Sequence, residues 1–127
     1  MLKVFLVSLR IAAFNDNHLK GNFDLEYLKS IHKYLFQDIY RLAGDIRNCN
    51  IAKQDLFRLS DYIEKYAKEI FDKLQEEKYF IEYDKETTLE KPVELFADIN
   101  TLHPFREGNG RSQRVFIEML AKKMAFI

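Results

Sequence analysis

Apolar residues recur at three- and four-residue steps through most of the chain, and five stretches carry that pattern. Near the start, Leu2, Leu6, Leu9 and Ala13 fall on one line, with Lys3 and Arg10 off it, which predicts an amphipathic helix packed on the domain. A cleaner stripe of Leu28, Ile31, Leu35, Ile39 and Leu42 predicts a core helix over residues 25–42, capped by Asn22 or Asp24 and ended by Gly44. A third run opens at Ser60 and places Ile63, Ala67, Ile70 and Leu74 on one face, opposite a mixed-charge face that includes Glu64, Lys65, Lys68 and Asp72. Pro92, whose missing N–H is not needed in a first helical turn, opens a fourth through Val93, Phe96, Ile99 and Asn100. Val115, Phe116, Met119 and Leu120 mark the fifth.

The segments between these helices read as connections. Residues 15–22 are rich in Asn, Asp and Gly, and residues 76–88 are polar around Tyr79, Phe80 and Tyr83. Residues 45–59 are the least helical part. Ile46, Asn48 and Asn50 alternate with Arg47, Cys49 and Ile51, which predicts a short hairpin or irregular flap whose edge can pair with a partner's extended segment.

Length and composition narrow the picture. At 127 residues the chain is expected to be one domain, residues 1–127, able to bury a core unaided. Lys plus Arg and Asp plus Glu stand at 20 each, so no global field recruits nucleic acid or an anionic membrane, and any anion site is local. The run from Val4 to Val7 is too short for a signal peptide's apolar region or a membrane span. Cys49 is the only cysteine, which excludes an internal disulfide and fits a reducing, cytoplasmic setting. His32 has no second ligand in helical register and reads as structural.

The chemistry concentrates in residues 103–114, HPFREGNGRSQR. Pro104 disfavours helix at His103 and so places the imidazole at a helix end. Phe105, apolar inside a polar run, is expected to anchor the loop in the core. Gly108 and Gly110 let N–H groups around Asn109 converge on an anion, at the start of a helix whose dipole favours phosphate. Arg111 and Arg114 share a face and suit bidentate binding of phosphate oxygens. Glu107 beside phosphates implies a divalent cation between them, and Mg2+ is held by few carboxylates plus phosphates. His103, with an unperturbed imidazole pKa of about 6.5, suits proton abstraction at neutral pH. Together these are the parts of a phosphoryl- or nucleotidyl-transfer site.

Position for position, these residues match the motif H-x-F-x-[DE]-G-N-G-R-x-x-R, and the chain resembles the Fic domain family. The likeness extends to LKSIHKYLF from residue 28 and YRLAGDIR over residues 40–47. It implies a compact all-α fold with a short β-hairpin flap, and transfer of AMP from ATP to a Ser, Thr or Tyr hydroxyl of a target protein. Under that resemblance His103 is the base, Glu107 holds Mg2+, and Gly108, Asn109 and Gly110 form the anion hole. Arg111 and Arg114 grip the outer phosphates, Pro104 and Phe105 anchor the loop, and Ile46, Arg47, Ile51 and Lys53 belong to the target-docking flap. Gly110 separates the chain from phosphate-transferring relatives, which carry Lys there.

Many relatives are restrained by a helix with the pattern [ST]-x-x-x-E-[GN]. The nearest match, SDYIEK over residues 60–65, ends in Lys, so a separate antitoxin supplying the inhibitory glutamate is expected. Met119, Leu120, Met124, Phe126 and Ile127 leave the last helix apolar close to the chain's end, which suggests a shortened helical layer and self-association. Two function classes follow: an AMP-transferring toxin or modifying enzyme, and a weak or inactive nucleotide-binding interaction module of the same fold.

Overall fold

The structure, a computed structural model, describes residues 2–16, 20–48, 60–80 and 85–125. Among the described residues five helices form the fold: α1 (Leu2–Asp16), α2 (Leu25–Phe36), α3 (Ile63–Glu76), α4 (Lys85–Leu102) and α5 (Asn109–Ala125), with single 3-10 turns at Ser60–Tyr62 and Lys78–Phe80. Among the described residues there is no strand, and the fold is all-α as the patterning predicts. The predicted hairpin falls mostly on residues 49–59, outside the described residues.

Helix α5 lies at the centre, packed against α2 and α4. Its Phe116 is fully buried and meets Phe23, Tyr27 and Phe71 with ring centroids 5.5 to 5.8 Å apart. Such tilted and edge-on aromatic contacts add to the burial of apolar area that drives the fold. Gln113 Nε2 donates to Asn100 Oδ1 at 3.2 Å and pins the first turns of α5 to α4. Asp24 caps α2, its Oδ1 accepting from the Tyr27 N–H at 2.9 Å.

Three predicted elements differ from those observed. Helix α2 ends at Phe36, not at residue 42: the N–H groups of Ile39 and Tyr40 both donate to the Phe36 carbonyl, and Leu42 is 56% exposed. Asp38, just past that end, accepts both Nε and Nη2 of Arg10, so a bond to α1 competes with another helical turn. Gly44, at φ 87°, closes the tight turn that follows instead of ending the helix. On α1 the buried line runs through Val7 and Phe14, with Ile11 partly covered, while Leu2 and Leu9 face outward. That helix is apolar on more than one side, so periodicity could not choose its inner face. Pro92 sits inside α4, which starts at Lys85; packing on α3 and α5 offsets the lost backbone bond.

Candidate active site

The motif loop joins α4 to α5, and its shape follows from how both helix ends are satisfied. His103 N–H donates to the Ile99 carbonyl at 2.9 Å as the last bond of α4, and His103 itself turns left-handed at φ 46°. Phe105 then sinks into the core, fully buried and stacked on the His32 ring at 3.8 Å and 16°. Pro104 is buried beside it. Gly108 is left-handed at φ 80°, and a Cβ there would lie 2.5 Å from the Phe36 ring. Its carbonyl accepts the Ser112 N–H, the first hydrogen bond into α5.

Asn109 holds the loop closed. Its Oδ1 accepts from Phe105 N–H at 2.9 Å and its Nδ2 donates to the Phe105 carbonyl at 2.7 Å. Those two bonds fix the amide's orientation, so Nδ2 is also the atom 3.2 Å from His103 Nε2. A donor there makes Nε2 the unprotonated nitrogen of the neutral ring, the lone pair a general base needs. The Asn109 side chain is therefore a clamp, and what remains for an anion is its backbone N–H. With those of Gly110 and Arg111 it belongs to the first turn of α5, where N–H groups have no intrahelical acceptor. Gly110 is exposed, and a Cβ on it would meet only Arg114 Nη2, at 3.4 Å. The space over the helix start is thus open, with the Arg114 guanidinium at its side and Arg111 half-buried nearby.

Glu107 is exposed at the loop's tip, on the same cleft as the Tyr40 hydroxyl. Burial first, then this carboxylate, raises the Tyr40 pKa, so the hydroxyl stays protonated and a donor at neutral pH. Both line a cleft with Arg41, Asp45, Asn48 and Arg106. Among the described residues no group of three or more His, Cys, Asp or Glu side chains is placed to hold a metal. A single exposed carboxylate fits Mg2+ that arrives with a nucleotide and takes its remaining oxygens from phosphates and water, not a free-standing site.

Of the predicted docking residues, Ile51 and Lys53 lie outside the described residues, and the other two turn inward. Ile46 packs partly buried on the core. Arg47 is 3% exposed, and its Nε donates to the His103 carbonyl at 2.6 Å, so it faces the motif loop and not a partner. The buried ends of α4 and the loop leave carbonyls that only a donor from elsewhere in the chain can satisfy.

His32 was legible only as a structural histidine, and it does more. The Gly44 N–H donates to its Nδ1 at 2.8 Å, which assigns the proton to Nε2 and lets that atom donate to the Glu107 carbonyl, also at 2.8 Å. One neutral ring thereby ties the turn after α2 to the motif loop. Burial lowers its pKa below the ordinary histidine value. A folded-state pKa below the unfolded one means that the unfolded chain binds the proton first as pH falls. The stabilisation is complete above about pH 6.5 and is lost progressively below it, down to the folded-state pKa. Thermal unfolding midpoints are expected to fall as pH drops through that window. His32→Gln, lower at neutral pH, should converge on the unsubstituted protein as pH drops; parallel curves would remove His32 from the account.

Comparison with known proteins agrees with this geometry. The model of the Fic/DOC family matches residues 22–121. The chain is 39% identical over 110 residues to the protein adenylyltransferase VbhT of Bartonella schoenbuchensis, covering 85% of this chain and 23% of that protein. It is 40% identical over 98 residues to the probable protein adenylyltransferase Fic of Escherichia coli, covering 76% of this chain and 49% of the other. It spans about half or less of the length of these curated relatives. Among solved structures, the type IV secretion system effector protein BepA superimposes with a TM-score of 0.90 at 28% identity, over 97% of this chain and 47% of that one. By sequence, by fold and by the residues gathered between α4 and α5, the chain belongs to the Fic/DOC family.

Proposed function

We propose that the chain is a protein adenylyltransferase domain that transfers AMP from ATP to a hydroxyl side chain of a target protein, releasing pyrophosphate. The observation that carries this reading is an unprotonated imidazole nitrogen held by Asn109 at the start of α5, where the Arg114 guanidinium borders the open space over the helix N-terminus. The curated relatives bear the adenylyltransferase name.

In this reading His103 Nε2 takes the proton of the target hydroxyl, displacing the long contact from Asn109. The hydroxyl oxygen attacks the α-phosphorus of ATP, the bond from that phosphorus to the bridging oxygen breaks, and pyrophosphate leaves with the electron pair. The N–H groups that open α5 and the guanidiniums of Arg111 and Arg114 hold phosphate oxygens and neutralise the charge that gathers on the leaving group. Glu107, beside Tyr40 on the cleft, would hold Mg2+, which supplies charge neutralisation on the phosphates when bound. The target is any protein that presents a Ser, Thr or Tyr hydroxyl to His103. A small antitoxin whose glutamate pairs with Arg114 would block the phosphate end, which suits a toxin held in check by its partner. A cytoplasmic reaction, where ATP is abundant, fits this reading. Among the described residues no helix is long and apolar enough to cross a membrane.

Calorimetric titration with ATP tests the binding half. Mg2+-dependent binding is expected, weakened about 10-fold or more by Arg114→Ala, since a hydrogen bond to a charged group contributes about 1.5–3 kcal/mol. Absence of binding would overturn the proposal. Binding with no label passing to any protein of a cell lysate would favour the nucleotide-binding module instead.

A further inference from the structure

We propose that Arg47 is the positioning residue for His103, setting from the main-chain side what Asn109 sets from the ring side. The inference rests on the transfer reading above. Arg47 is a cation buried to 3% exposure, which is costly unless its donors are occupied. The loop supplies acceptors: Nε donates to the His103 carbonyl at 2.6 Å, Nη2 reaches the Leu102 carbonyl at 3.4 Å, and the backbone N–H donates to the Pro104 carbonyl at 2.9 Å. One residue thus holds three consecutive carbonyls, centred on the base.

The need for such a clamp is physical. The carbonyls that end α4 lack intrahelical partners, and a cation there also complements the negative end of the helix dipole. His103 departs from the helix in a left-handed conformation that costs a residue with a Cβ about 1–2 kcal/mol. Left without donors on its carbonyl, the peptide after His103 could rotate and carry the imidazole away from Asn109. A planar guanidinium can span two adjacent carbonyls, whereas a lysine ammonium is a point charge on a flexible four-carbon stem.

The test uses Arg47→Met, which leaves the carbonyls without that donor, and Arg47→Lys, which keeps the charge. Circular dichroism and thermal unfolding establish which variants fold. In folded variants kcat is expected to fall about 100-fold for Met and less for Lys, with KM for ATP within about 2-fold of the unsubstituted protein. The imidazole nitrogen resonances of His103, read by NMR without nucleotide, should shift in both. Unchanged kcat and unchanged resonances would overturn the assignment, as would losses that appear in KM alone. If Arg47→Met does not fold, Arg47→Lys decides by the same readouts. If the unsubstituted chain transfers nothing, the functional reading fails, and the resonances still decide whether Arg47 positions His103.

Discussion

Replacing His103 with alanine is expected to slow AMP transfer by about 1,000-fold while changing ATP affinity by less than about 2-fold. The asymmetry follows from the site's layout. The groups proposed to hold phosphate are the N–H groups at the start of α5 with Arg111 and Arg114, and none of them depends on the imidazole. Asn109, whose Nδ2 lies 3.2 Å from the ring's Nε2, keeps two bonds to Phe105 after the ring is removed, so the loop stays closed. Equal losses in affinity and rate would mean that His103 shapes the nucleotide site and is not its base. Equal rates in both proteins would remove it from the chemistry.

Gly108→Ala is expected to be the most damaging single methyl in the loop. The added Cβ would sit 2.5 Å from two carbons of the Phe36 ring, at a φ of 80° that disfavours any side chain. The backbone cost is about 1–2 kcal/mol, and forcing the ring aside adds about 1–3 kcal/mol. Phe36 packs on His32, with centroids 4.8 Å apart, so a displaced ring disturbs the bridge to Glu107 as well. A lowered unfolding midpoint and near-complete loss of transfer are the expected outcome. Gly110→Ala is the instructive contrast, because its Cβ would meet only the mobile end of Arg114. There the midpoint should hold while ATP binding weakens. Equal midpoints for Gly108→Ala and the unsubstituted protein would contradict the packing argument.

How much of this was legible in the sequence depended on whether the cause was local. The residues of the motif announce their own geometry: proline after the histidine, glycines around the asparagine, an apolar helix behind. Helix α3 buries Ile63, Ala67 and Leu74 of its stripe because one face only is apolar, with Phe71 buried where Ile70 is only partly covered. Helix α2 ran shorter than its stripe because Asp38 and Tyr40 answer to Arg10 and Glu107, partners no periodicity reveals. The same holds for the site's supports. Arg47 reaches His103 across 56 positions and His32 reaches Glu107 across 75, so neither role leaves a trace in local spacing. Asn109 was assigned to the anion hole by its place between glycines, and only the loop's closure shows its side chain already committed.

The most direct test of the central claim is to supply ATP labelled at the α-phosphate and, in parallel, ATP labelled at the γ-phosphate, with Mg2+ and a cell lysate containing target proteins. Protein-bound label is expected from the α position and none from the γ position, with release of pyrophosphate. Label from the γ position on protein would identify phosphate transfer and contradict it.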